Sequence, residues 1–395
     1  MHCKGWIKMK PIVRTLALFP LSLTVWSAFT FAQQGRAQAV TEIGGQKVVT
    51  LTRPVSGATK PEFTGVTVLP GRGMDVLQVT ANFPGKGNVD VLASPDLASA
   101  ARILDQEDNE IGGRAYTMGA AFLVPYPNRI RGKLSAGGQA ITTEWEGHTL
   151  TLPANSRGRN PGAERHAMHG LILKAKTDEV RVTDILGGQQ VAGVVHAGDF
   201  GGHWLSKTDL DFNIALTAEA VDVSIVARNV GHEAEPIAIG WHPYFNLPSG
   251  DRTQARVRVP ASTVAEVNNY DSVFPTGKIL PVAGTRFDLC APAGQPLGNV
   301  SFDDNWSHLE WKGGAVTVQV IDPAACYGVS IEGLSPEIRT IQIYAPPAKG
   351  FVAVEDQYNF GDPFGKEWGT TDTGMVTLKP GESTTWHVRL RVYVP

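Results

Sequence analysis

The sequence predicts an all-β chain built as a large antiparallel sandwich or barrel, and three observations carry that prediction. Segments 210–218, 221–230, 315–321, 340–345 and 385–394 alternate apolar and polar residues with a period of two, the signature of a half-buried strand. Gly and Pro, 43 and 26 in number, punctuate these runs at short intervals. Helical periodicity is scarce, with 95–106 the best candidate, so nothing supplies the alternating helices of a parallel α/β sheet. The last run is the clearest: Trp386, Val388, Leu390, Val392 and Val394 share one face, and His387, Arg389, Arg391 and Tyr393 the other. No internal repeat or low-complexity linker interrupts residues 61–395, which read as one β domain preceded by a polar lead-in at 40–60.

The first 39 residues differ in kind. Lys4, Lys8, Lys10 and Arg14 make a basic start, and 15–32 is nearly uncharged and apolar. Cleavage candidates follow Ala32 and Ala39, the pattern of a signal peptide. The competing reading is a membrane anchor, since the run approaches the minimum length for a span; Pro20 and the small-residue exit favour cleavage. The expected location is periplasmic or secreted, with no stable membrane association once the leader is removed. Of three cysteines, Cys3 lies in that leader, which leaves Cys290 and Cys326 as one candidate disulfide whose formation spacing does not decide. A net charge of −3 without basic runs argues against nucleic acid and for an uncharged small-molecule partner.

Five clusters carry candidate chemistry. In 125–130 two prolines brace a turn that presents Asn128 and Arg129, the latter with a fork of donors. His166 and His169 stand three apart, and with His196, Asp199 and His203 they raise a metal site; without an accompanying carboxylate spacing, no metal is expected. His242 sits among Trp241, Tyr244 and Phe245, a setting for a proton donor beside aromatic faces or for a satisfied core histidine. Asp303, Asp304 and Asn305 lie between Phe302 and Trp306. Finally, the apolar run 351–354 delivers Glu355 to a strand end, where a carboxylate can be held as a general base. Around Ser330 there is no G-x-S-x-G elbow, and no phosphate loop or dinucleotide glycine fingerprint follows a strand.

In the order PYPNRIRG, HAMHG, IGWHPYFNL, PTGKILPVAGTRFDL, FDDNW, RTIQIYAP and VAVEDQ, these segments resemble the aldose 1-epimerase (galactose mutarotase) family over residues 65–395. The resemblance implies a β-sandwich of the galactose mutarotase type, a sugar in an open cleft and no cofactor. It implies His242 as general acid, Glu355 as general base, and Asn128, Arg129, His169, Asp303 and Gln342 as sugar-binding residues, with Asp304 the alternative to Asp303. The chain departs from the family at Asp356, where proline is frequent, and at Leu171.

The implied reaction moves the O1 proton to a base while O5 is protonated. The ring opens to an aldehyde, C1–C2 rotates, and the reverse transfers close the other anomer. With ordinary values of about 4.3 for Glu and 6.5 for His, the base is ionised at neutral pH, and a carboxylate nearby is expected to keep the imidazole charged. A hexose-6-phosphate epimerase and a non-catalytic carbohydrate-binding sandwich are the rival readings. The second has no need of an acid–base pair. The expected assembly is a monomer or weak dimer acting on free aldohexoses such as glucose or galactose.

Overall fold

The protein is described by a computed structural model over residues 40–109 and 112–395. The expected leader lies outside the described residues.

Two antiparallel sheets form the body. The larger has eleven strands, and across it run Pro275–Pro281, Ala261–Val267, Phe302–Leu309, Thr340–Ala345, Phe351–Gln357, Gly240–Asn246, Ala120–Leu123, Asp75–Phe83, Glu62–Leu69 and Val49–Thr52. The eleventh, Gly87–Asp90, pairs with Asp75–Phe83 outside that path. The smaller has nine strands, with Thr208–Thr217, Val221–Asn229, Ser383–Tyr393, Tyr327–Gly333 and Val316–Asp322 at its centre.

Each of the alternating runs becomes a strand within two residues of its expected bounds. In Thr208–Thr217 every second side chain is buried, Leu210, Phe212, Ile214 and Leu216 among them, because the other face meets solvent. The sheets meet through aromatic packing: Phe122 and Trp241 from the larger, Phe212 and Trp386 from the smaller. Phe122 lies 5.2 Å from Phe212 and 6.2 Å from Trp386, and Trp241 lies 6.1 Å from Trp386. The expected helix forms as Leu97–Gln106, begun by Asp96, whose side chain accepts from the Ser99 amide at 2.9 Å.

The lead-in is more structured than its polarity suggested. Val49–Thr52 is the edge strand of the larger sheet, and Leu51 and Ile43 are fully buried. Its own alternation, Val49 and Leu51 against Thr50 and Thr52, gives the reason. Cys290 is a free thiol that donates to the Ala261 carbonyl at 2.8 Å, so it forms no disulfide with Cys326.

Candidate active site

The site is a row of side chains crossing neighbouring strands of the larger sheet. Gly240 pairs with Gln357 and Tyr244 with Ala353, a register that sets His242 opposite Glu355. Glu355 in turn pairs with Gln342, and Gln342 with Asn305. Because successive residues of a strand face opposite ways, all four side chains leave by the outer face. Their neighbours Trp241, Val354 and Ile341 enter the core between the sheets. The aromatic motif around His242 is divided by the same rule: Trp241 and Phe245 pack inside, and Tyr244 joins His242 outside at 4.7 Å between rings.

A second set of groups comes from a short strand pair in which Arg129 lies opposite Met168. Asn128 and His169 both adopt left-handed backbone (φ 63° and 62°), and the His169 amide donates to the Asn128 carbonyl at 2.9 Å. That joint swings the His169 ring to 5.0 Å from the ring of His242. Gly170, also left-handed at φ 75°, follows because the chain passes so close to Val124 that a β-carbon would lie 2.4 Å from its carbonyl oxygen.

Around this frame the polar groups interlock. His242 Nε2 is 3.2 Å from Glu355 Oε1, and Gln357 Nε2 donates to Glu355 Oε2 at 2.7 Å. Arg129 donates to Asp303 at 3.1 Å and to Asn128 Oδ1 at 3.0 Å. Asn128 donates to Gln342 Oε1 at 3.2 Å, and Gln342 donates to Asp303 Oδ1 at 2.8 Å. Asp303, Arg129, Asn128 and Gln342 thus form one closed hydrogen-bonded ring beside the His242–Glu355 pair.

Asp304 does not join that ring. It turns to the other face, accepts from the Tyr270 hydroxyl at 2.5 Å and lies 3.8 Å from Arg286; burial raises its carboxyl to about 6. Of the two adjacent aspartates it is Asp303 that stands with Arg129 and Gln342.

Burial sets the protonation of the central pair. His242 is 4% exposed and Glu355 2%. Desolvation pushes Glu355 well above the carboxylate range, and the negative charge of Asp303 adds to this. Gln357 and Arg129 oppose it. Desolvation pushes His242 down to about 4, with Arg129 contributing. The expectation that a nearby carboxylate keeps His242 charged is therefore overturned: burial takes both partners out of water and disfavours the charged form of each. His169 is pushed well below its ordinary value by burial and by His242, so it is neutral as well.

The remaining histidines stand elsewhere. His166 is buried edge-on against Phe274, 5.0 Å between rings, with Nδ1 3.2 Å from the Glu164 carbonyl. His196 pairs with Asp209 at 2.8 Å, and His203 Nδ1 lies 2.7 Å from the Thr151 carbonyl. Among the described residues no three His, Cys, Asp or Glu side chains converge as metal ligands.

Two members of the site went unnoticed in the sequence. Gln357 carried a signal, since it lies two residues beyond Glu355 on the same strand face. Tyr116, whose ring lies 4.7 Å from His169 and 6.5 Å from His242, comes from a single 3-10 helical turn, Ala115–Thr117, too short for a periodic pattern to mark it.

This architecture recurs in solved structures. The chain is similar to a galactose mutarotase-like protein from Clostridium acetobutylicum, with a TM-score of 0.68 at 18% identity over 88% of this chain and 99% of that one. It is similar also to the galactose 1-epimerase of Lactobacillus acidophilus NCFM, with a TM-score of 0.61 at 15% identity over 88% and 98% of the two chains. The fold is that of the galactose mutarotase sandwich. The family model for aldose 1-epimerase matches residues 92–391, and the chain belongs to that family. The YphB protein of Escherichia coli K12, itself uncharacterized, is 27% identical over 282 residues, covering 68% of this chain and 82% of YphB.

Proposed function

We propose that the protein interconverts the α and β anomers of free aldohexoses such as glucose or galactose, with Glu355 as base and His242 as acid. The observation that carries this reading is the 3.2 Å contact between His242 Nε2 and Glu355 Oε1, with Gln357 holding the second carboxylate oxygen.

The proton balance favours the assignment. Transfer of the Glu355 proton to His242 across their 3.2 Å contact sets up the charged pair. With O1 of the sugar at Glu355 and O5 at His242, ionised Glu355 then takes the O1 proton and protonated His242 gives its Nε2 proton to O5. The C1–O5 bond breaks, O1 becomes the aldehyde oxygen, and O5 leaves as a hydroxyl. Glu355 is then a neutral acid and His242 a neutral imidazole. Ring opening thus discharges an ion pair, and burial of the site favours the discharged form. Desolvation thereby favours the open-chain complex relative to the closed one. Return of the protons after rotation about C1–C2 closes either anomer, so one pair serves both directions. His169, neutral and 5.0 Å from His242, serves as a hydrogen-bonding partner of the sugar, and Arg129 and Asp303 orient its hydroxyls.

The basic and apolar start of the chain supports a further reading, that the enzyme is exported and meets its sugar in the periplasm or outside the cell. The test of activity is polarimetry of freshly dissolved α-D-glucose and α-D-galactose with purified protein. Relaxation faster than the buffer blank supports the proposal. His242→Asn is expected to slow it by at least about a hundredfold; equal activity per folded molecule would return His242 to a purely structural role.

A further inference from the structure

Asn305 ends the row His242, Glu355, Gln342, Asn305, and its side chain is unlike the others. It is 5% exposed, and neither its Oδ1 nor its Nδ2 has a hydrogen-bond partner among the described residues. A buried amide left so costs free energy, and such groups in native proteins ordinarily have a reason. The amide borders a small cavity shared with Asn128, Asp303 and Gln342, with room for about one water molecule. The space exists because the next position in the row is small. Val264 pairs with Trp306, so Ala265 stands opposite Asn305, and Gly361 also lines the cavity. Ala265, Val267, Val273 and Pro275 supply its apolar walls. The result is an apolar niche with one unpaired amide, adjoining the hydrogen-bonded ring of Asp303, Arg129, Asn128 and Gln342.

We propose that Asn305 is a specificity-determining residue. Together with Asp303 and Gln342 it forms a polar subsite that reads one hydroxyl of the bound sugar through a single water lodged in this cavity. The proposal rests on the sugar-binding reading of the site and deepens it. Asn305 acts through the water and is a positioning residue; it touches no reacting atom.

The test compares wild type with Asn305→Leu, a replacement of similar volume that suits the apolar walls. Affinity for glucose, galactose and their monodeoxy analogues is measured by calorimetry, turnover by polarimetry, and stability by thermal denaturation. The expected result is an unchanged or raised Tm, because the replacement removes an unpaired buried amide. It is accompanied by about three- to tenfold weaker binding of the parent sugar, the loss of one neutral hydrogen bond. One deoxy analogue, lacking the hydroxyl that is read, binds both proteins equally. Asn305→Ser keeps a donor and an acceptor and recovers part of the discrimination. Uniform weakening across the whole series, or no change in any member, overturns the proposal. A wild-type protein that binds sugar without accelerating anomer exchange defeats the epimerase reading alone, and the same binding series still decides the role of Asn305.

Discussion

Glu355 and Asp356 are consecutive residues of one strand, and the pleat sends them to opposite destinations. Glu355 reaches the outer face, where it meets His242 and Gln357. Asp356 enters the space between the sheets, fully buried, with both carboxyl oxygens unpartnered among the described residues. It sits so near the facing sheet that a β-carbon on Gly333 would lie 2.8 Å from its Oδ1. The Trp386 indole clamps the same residue by donating to its carbonyl at 3.1 Å. A strand anchored in this way from behind holds the carboxylate in front of it to one pose.

Asp356 carries a stability cost that depends on pH. Burial raises its carboxyl to about 7. Below about pH 4 the group is protonated both folded and unfolded, and it contributes no pH dependence. As the pH rises through the unfolded value the unfolded chain ionises and the fold does not, so stability falls. The fall levels off once the folded value near 7 is passed. Asp356→Asn removes this contribution. It is expected to be more stable than wild type at pH 8, by a few kcal/mol at most, and nearly equal to it at pH 4. Chemical denaturation at the two pH values measures the difference.

Gln357 acts on the base. Its hydrogen bond favours the ionised form of Glu355 against burial. In Gln357→Leu the Glu355 carboxyl therefore rises further, and the acidic limb of the kcat/KM profile moves to higher pH. The shift is expected to be about one unit, since hydrogen bonds to charged groups contribute about 1.5–3 kcal/mol. Polarimetry at a series of pH values reads it directly, and an unmoved limb would show that Gln357 does not tune the base.

Gly170 sets the placement of His169. At φ 75° and with a β-carbon destined for 2.4 Å from the Val124 oxygen, Gly170→Ala suffers both backbone strain and a steric clash. A loss of at least about 2 kcal/mol is expected. The variant should also bind sugar more weakly than its remaining folded fraction accounts for, which calorimetry on the soluble protein tests.

The strands most legible in the sequence are those with one wet face. Thr208–Thr217 and Ser383–Tyr393 alternate because solvent accepts every second side chain. The strands that carry the site do not alternate. Glu355 and Asp356 are both buried, as are Trp241 and His242, so burial on both faces erases the period-two signal there. Those segments were readable as motifs and not as pattern. Gln357 and Asn305 obey the same period as Glu355 and Asp303, and the register shows why they belong with them. Tyr116 reaches the site by a fold of the chain that no local rule encodes. The protonation of His242 was hidden for a related reason: residue type suggests a charge partner, but desolvation is a property of the assembled site.

The most direct test of the account is polarimetric relaxation of α-D-glucose and α-D-galactose by wild type and by Glu355→Gln at equal folded concentration. Wild type is expected to catalyse the exchange and the variant to be slower by about 10²–10⁴-fold, while calorimetry still detects sugar binding. Near-full activity in Glu355→Gln would contradict this, because the proton on O1 would then have to leave without the carboxylate that stands against His242.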